Sequence, residues 1–295
     1  MAVVGCQEMT ESAEYIAARS VLLDALQALE PHLEAIVVVG AQAVYLRTDT
    51  AQLGIAPYTT DGDLVLDPSQ LEEDPGLEVV MRSAGFELQR NKDGNEEPGI
   101  WVKIQQIGGE DVEVPVDLIV PTGVAPPGGR RGARLKGHSE RAARKIPGLE
   151  ATLLDHDTMI IGGLMDGDAR SFKLKVAGPV ALLIAKAYKL HERLENVSRS
   201  DRVDEKDAGD MYRIVQTSDR QRCVEVAQKL IEHPTLGTIC KVGLQRTCDL
   251  FGAARSSGTL MAISHLRGAV PEERVISVCT SFVAEVRTSL GEGIE

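Results

Sequence analysis

Aromatic residues are scarce: Phe, Trp and Tyr make up 3% of the 295 residues, with one Trp. So few rings leave little material for a stacking surface along single-stranded nucleic acid. The five cysteines (Cys6, Cys223, Cys240, Cys248 and Cys279) are odd in number, widely spaced and free of any CxxC pair. Neither a disulfide framework nor a structural zinc site is expected, and a reducing compartment fits. No apolar run approaches the ~18 residues of a membrane-spanning helix. The N-terminal MAVVGCQEMTES lacks the basic and apolar regions of a secretory signal, so the expected location is the cytoplasm, with no membrane partner. Positive charge is short as well: the net charge of −12 argues against broad non-specific nucleic-acid binding and leaves room only for a local basic patch. There is no internal repeat, no Walker or dinucleotide fingerprint, and no Ser-His-Asp set arguable from spacing.

What is present is an ordinary globular composition, 43% hydrophobic and 26% charged, at a length that suits two domains. Residues 10–30 read as a helix capped by Thr10 or Ser12, with Ile16, Val21, Leu22, Leu26 and Leu29 on one stripe. A strand over 35–39 stops at Gly40, where a short helix begins; such a strand-to-helix turn offers backbone N–H groups to phosphate. A strand over 60–66 follows. Pro68 suits the first turn of a helix that breaks near Pro75-Gly76 and runs to about Ser83. Phe86–Arg90 and Ile100–Ile107 alternate apolar and polar residues around a hairpin signal at 91–95, and a further strand over 112–120 carries Asp117. Short strands are expected at 151–155, 158–162 and 171–176. Helices follow at 179–196, 205–217, 219–232, 236–255 and 271–289, with a polar linker at 197–204. The fold class is α/β: a mixed sheet flanked by helices over residues 1–147, then a mostly helical domain over 148–295.

The acids in this pattern carry the chemistry. Side chains two apart on a strand share a face, so Asp61 and Asp63 of Asp-Gly-Asp point the same way, and so do Asp111, Glu113 and Asp117. If the strands are neighbours, carboxylates converge. Two such charges about 4 Å apart repel by roughly 4 kcal/mol at an effective dielectric of 20, so a fold that keeps them needs a cation or a raised pKa. Hard oxygen ligands of this kind suit Mg²⁺, and two such ions can hold the attacking and leaving oxygens of a phosphoryl displacement. An EF-hand loop starting at Asp61 fails in its middle, where Val65 and Leu66 replace a ligand and the required Gly.

A strand ending in Gly and a small residue, then Asp-x-Asp in an apolar strand, then a lone Asp between apolar residues resembles the nucleotidyltransferase superfamily of the DNA polymerase β type. The resemblance implies that Gly40-Ala41 and Thr60 bind triphosphate, that Asp61 and Asp63 hold Mg²⁺ (two ions), and that Asp117 completes the metal site and activates an acceptor hydroxyl. Ala41 stands where relatives often carry Gly or Ser, and Pro57 where many carry Arg.

Downstream, Lys186, Lys189 and Arg193 lie at i, i+3 and i+7 of a strongly periodic helix, followed by Lys206-Asp207 and Asp210. A Lys, an Arg seven residues on, then Lys-Asp-x-x-Asp resembles the C-terminal motif of abortive-infection-type (AbiEii-like) nucleotidyltransferases, toxins of bacterial toxin–antitoxin pairs. By that resemblance Lys186 and Asp207 are needed for activity, Lys186 and Arg193 lie near the nucleotide, tRNA is the acceptor, and a cognate antitoxin is the partner. The 121–147 segment holds Arg130, Arg131, Arg134, Lys136, Arg141, Arg144 and Lys145 against one acid, Glu140, and reads either as a solvated surface loop or as an electrostatic guide for a polyanionic acceptor or for triphosphate. The alternatives are a small-molecule acceptor, as in aminoglycoside nucleotidyltransferases, and a catalytically silent nucleotide- or partner-binding protein.

Overall fold

The computed structural model describes residues 11–48, 56–195 and 204–291. Thr10, Cys6, most of the 48–58 loop, all of the 197–204 linker but Asp204, and the tail past Gly291 lie outside them. Helix α1 (Ala13–Ala28) is capped by Ser12, whose hydroxyl accepts from the Tyr15 N–H at 3.2 Å. Its buried Leu22 and Leu26 lie on the sheet. After a 3₁₀ turn (Glu30–Ala35) come β1 (Ile36–Val39), α2 (Gly40–Arg47) and β2 (Gly62–Leu66). The stretch after Pro68 is not helical, because Asp67 holds Ser69 and Gln70 in an Asx-type turn; only α3 (Leu77–Ser83) forms. Strands β3 (Glu87–Arg90), β4 (Glu96–Ile107), β5 (Glu110–Pro121) and β6 (Arg144–Ile146) follow, then β7 (His156–Gly162) and β8 (Ser171–Ala177). The strand expected at 151–155 is a 3₁₀ turn, Glu150–Leu153.

All eight strands form one mixed sheet in the order β3-β4-β5-β2-β1-β8-β7, with β6 beside the end of β5. Strands β7 and β8 lie beyond residue 147, where the sequence puts a boundary, yet β8 pairs in parallel with β1 and completes the same sheet. The change from strand to helix comes instead at Gly178. From there the described residues form helices: α4 (Pro179–Glu195), α5 (Glu205–Thr217), α6 (Arg220–Ile231), α7 (Gly237–Phe251), α8 (Ser257–His265) and α9 (Glu272–Leu290). The single helix expected over 236–255 ends at Phe251, and α8 is an additional element.

Burial explains the periodicity of α4. Val180, Leu183, Ala187 and Leu190 are inside, whereas Leu194, on the same stripe, is 38% exposed at the helix end. Helix α4 packs on α5 and α7, and α2 touches both α4 and α5, so helical layer and sheet meet around the start of α2. No described helix is long and apolar enough to cross a membrane.

Trp101, the sole Trp, is fully buried on β4, and its indole N–H donates to the Ala142 carbonyl at 2.9 Å, fastening the 130–143 segment to the sheet. Trp101→Ala is expected to cost about 3–5 kcal/mol in urea unfolding followed by circular dichroism. A loss under about 1 kcal/mol would show that the segment does not depend on this anchor.

Candidate active site

Register builds the site. In β1–β2 Val39 stands opposite Asp63, and in β2–β5 Asp63 stands opposite Asp117, so one row crosses three adjacent strands. Paired residues of neighbouring strands share a face, so Asp63 and Asp117 point together into one cleft. Gly62 turns the other way, against Leu22 of α1. Asp61, just ahead of β2, lines the same cleft. Asp111 and Glu113 do not join it: they sit near the tip of the β4–β5 hairpin, exposed, opposite Gln106 and Ile104.

One step past Val39 is Gly40, at φ +66°, a conformation that favours glycine. A Cβ at this position would also run into the Asp63 carboxylate, so the first turn of α2 approaches the acids as only glycine allows. No side chain caps this helix, which leaves its leading N–H groups, those of Gly40 and Ala41 among them, open to a ligand. Gln42 is buried, accepts from Arg19 Nε at 2.9 Å and donates to the Asp61 carbonyl at 3.4 Å, which fixes the acid loop to α2. The hydroxyl on Asp61 belongs to Thr59, which donates to Oδ1 at 2.5 Å; Thr60 is exposed and does not line the cleft.

The cleft, about 590 Å³, is bounded across from the acids by α4, with Lys186, Lys189 and Arg193 among its walls. All three converge on Asp207 of α5. Lys186 Nζ donates to Asp207 at 3.0 Å and to Asp210 at 2.8 Å, Lys189 Nζ lies 3.0 Å from Asp207, and Arg193 donates to it at 3.1 Å. Asp207 is 2% exposed. Burial works against its charge, but Lys186 and Lys189 hold its carboxyl well below the usual range. Burial likewise works against the Lys186 ammonium, yet Asp210 and Asp207 hold it well above the ordinary lysine value. Lys186 is thus locked between two acids, while Lys189, 48% exposed, is the lysine whose charge reaches Asp63 and Asp117.

Burial, reinforced by Asp61 and then Asp117, pushes the Asp63 carboxyl up to about 7. Asp117 is pushed up to about 6 by burial; the adjacent Arg144 guanidinium opposes this and Asp61 adds to it. Arg144 is held beside Asp117 by β6, and it was read from the sequence only as one cation of the basic loop. A carboxylate so short of compensation suits a hard divalent cation, and the oxygen donors of Asp61, Asp63 and Asp117 are of the type Mg²⁺ takes. Among the described residues no three His, Cys, Asp or Glu side chains already stand around a single point, and Asp117 is turned to Arg144.

Five of the six other cations of the basic segment have partners of their own. Arg131 meets Glu97, Arg134 meets Glu140, Lys136 meets Glu73 and Arg141 meets Glu96, while Lys145 donates to the Gly128 and Gly129 carbonyls. Among the cleft residues that the sequence reading does not single out are Tyr188 of α4 and Arg246 of α7, whose guanidinium lies 4.3 Å from the centre of the Tyr188 ring. Comparison of the chain with protein-family models, with curated proteins and with solved structures gives no match.

The sign of the acid shift fixes a pH dependence. A carboxyl whose folded pKa is raised contributes stability at low pH that is lost as pH climbs from the unfolded value near 4 through about 7. Asp63→Asn is therefore expected to raise the metal-free melting temperature at pH 8 and to change it little at pH 4. In the native protein, stabilisation by Mg²⁺ with a triphosphate should grow between pH 5 and 8 as the cation replaces the proton. Differential scanning fluorimetry across that range checks both; a Mg²⁺ effect independent of pH would remove Asp63 from the metal site.

Proposed function

We propose that this protein is an Mg²⁺-dependent nucleotidyltransferase that moves a nucleoside monophosphate from a nucleoside triphosphate to an acceptor hydroxyl. The observation that carries the reading is the row Val39–Asp63–Asp117 with Gly40 one step beyond it: an uncapped, glycine-started helix set against neighbouring carboxylates, of which only Asp117 has an adjacent cation. Asp61 and Asp63 would hold the metal, with Asp117 completing the set; the bound ion would offset charge on the reacting phosphate. The acceptor oxygen bonds to the α-phosphorus, the bond from that phosphorus to the bridging oxygen breaks, and pyrophosphate leaves with the electron pair. The hydroxyl proton goes to Asp117, the remaining acid of the row. Backbone N–H groups of Gly40 and Ala41 would take β- and γ-phosphate oxygens. Lys189 would supply the charge facing them, and Arg193 the next. Lys186 and Asp207 would position that pair by fixing α4 on α5. Most of the barrier reduction is then positioning and electrostatics.

The resemblance to abortive-infection-type enzymes extends the proposal to a toxin that modifies tRNA and is countered by an antitoxin. A specific observation favours a second reading of the acceptor. The cations of the 130–145 segment are mostly spent on Glu73, Glu96, Glu97, Glu140 and Asp117, so little field remains to draw a polyanion to an acidic protein. A small hydroxyl compound needs no such field.

Incubation with each labelled triphosphate, Mg²⁺, and either total RNA or a small-molecule extract tests the proposal. Label should appear on an acceptor, and Asp61→Asn or Asp63→Asn should lower transfer by roughly 10²-fold or more. Lys189→Ala should weaken triphosphate binding with the melting temperature kept. Lys186→Ala should cost about 3–5 kcal/mol of stability, because Asp207 and Asp210 lose their buried partner. No label transferred from any triphosphate would overturn the reading; label confined to the extract would decide for the small acceptor.

A further inference from the structure

The carboxylates and the first turn of α2 line only part of the cleft; Tyr188 and Arg246 line another part. The Tyr188 hydroxyl donates to the Ile239 carbonyl at 3.0 Å. The ring is backed by Gly148, at φ +87°, where any Cβ would strike it. Ring position is thus fixed from two sides, and the Arg246 guanidinium lies over the ring, 4.3 Å from the centroid. The other cleft cations are all engaged: Lys186, Lys189 and Arg193 on Asp207, and Arg144 on Asp117. Arg246 is half-buried and, among the described residues, has no carboxylate partner.

The chain keeps the acids and this pair close. Arg144 pairs with Asp117, and four residues later Gly148 lies against Tyr188, at most roughly 14 Å away between Cα atoms. Asp63, Asp117, Tyr188 and Arg246 all line one cleft, so a single ligand can meet both groups. The cleft volume, about 590 Å³, falls in the range of small-ligand sites.

We propose that Arg246, held over the Tyr188 ring, is the surface on which the base of the nucleoside triphosphate stacks; this rests on the nucleotidyl-transfer reading of the cleft. A guanidinium is planar, weakly hydrated and always charged, and it stacks on aromatic faces where an ammonium cannot. Stacking recognises a heteroaromatic ring without identifying which base it is. The ligand class at this pair is therefore any purine or pyrimidine ring, and choice among bases is left to other contacts.

Binding of ATP, GTP, CTP, UTP and inorganic tripolyphosphate, each with Mg²⁺, is measured by calorimetry on the wild type, Arg246→Lys and Arg246→Ala. Tripolyphosphate carries the charge without the ring, and Arg246→Lys keeps the charge without the plane. The wild type is expected to bind the nucleotides more tightly than tripolyphosphate. Both variants should lose roughly tenfold or more in nucleotide affinity, the size of a lost base-stacking contact, with tripolyphosphate affinity unchanged. Unliganded melting temperatures verify folding, and the lysine variant serves if the alanine variant is unstable. Equal losses for nucleotides and tripolyphosphate would reduce Arg246 to a phosphate charge, and no loss for either would reduce it to a helix-packing contact; each overturns the proposal while leaving nucleotidyl transfer standing. No Mg²⁺-dependent binding of any probe to the wild type would overturn the nucleotidyl-transfer reading, and this proposal with it.

Discussion

The cleft depends on a single strand register. Val39 opposite Asp63, and Asp63 opposite Asp117, put like charges side by side in a place where water cannot fully serve them. A one-residue slip of β2 would turn Asp63 into the α1 face and bring Gly62 or Leu64 to the cleft, which the apolar packing of Leu64 and Leu66 forbids. The hydrophobic core therefore enforces an electrostatically costly arrangement, and the surroundings answer the cost only in part. Arg144 offsets Asp117, and Lys189 acts from across the cleft. Asp63 keeps a deficit that a divalent cation is suited to fill.

Around this row the second support is Asp207. A single buried carboxylate gathers Lys186, Lys189 and Arg193 from successive turns of α4. Such buried pairs contribute little net stability when intact, and breaking one is expensive. Their effect here is positional: α4 cannot rotate or slide on α5 without breaking them. Helix α5 is in turn tied to α2, through Arg213 over the Tyr45 ring and onto the Ala56 carbonyl, and through Lys206 over the same ring. The helix whose first turn faces the acids and the helix whose lysines face them are thus held by one set of contacts.

Much of this was legible in the sequence because it is local. The alternation in Asp61-Gly62-Asp63, the glycine stop after Ile36–Val39 and the period of α4 are properties of a few adjacent residues, and the corresponding elements form at those positions. What the sequence hid is set by distant partners. Nothing local tells that β8 will pair with β1 across more than a hundred residues, so the sheet looked finished at 147. The basic segment looks like a free positive patch until Glu73, Glu96 and Glu97 fold against it. Lys186 looks like the lysine that reaches the phosphates, but Asp207 and Asp210 close over it and leave Lys189 facing the acids. Tyr188 and Arg246 are 58 positions apart, and a lone aromatic beside a lysine stripe was the sole local signal for their stack.

The most direct test of the central claim is the position of the metal. Mn²⁺ substitutes for Mg²⁺ at oxygen sites, and its anomalous scattering locates it in a crystal grown with a non-hydrolysable triphosphate. Mn²⁺ is expected to be held by Asp61 and Asp63, with the triphosphate beside Gly40 and Asp117 nearby. A triphosphate bound elsewhere, or Mn²⁺ away from Asp61 and Asp63, would contradict it.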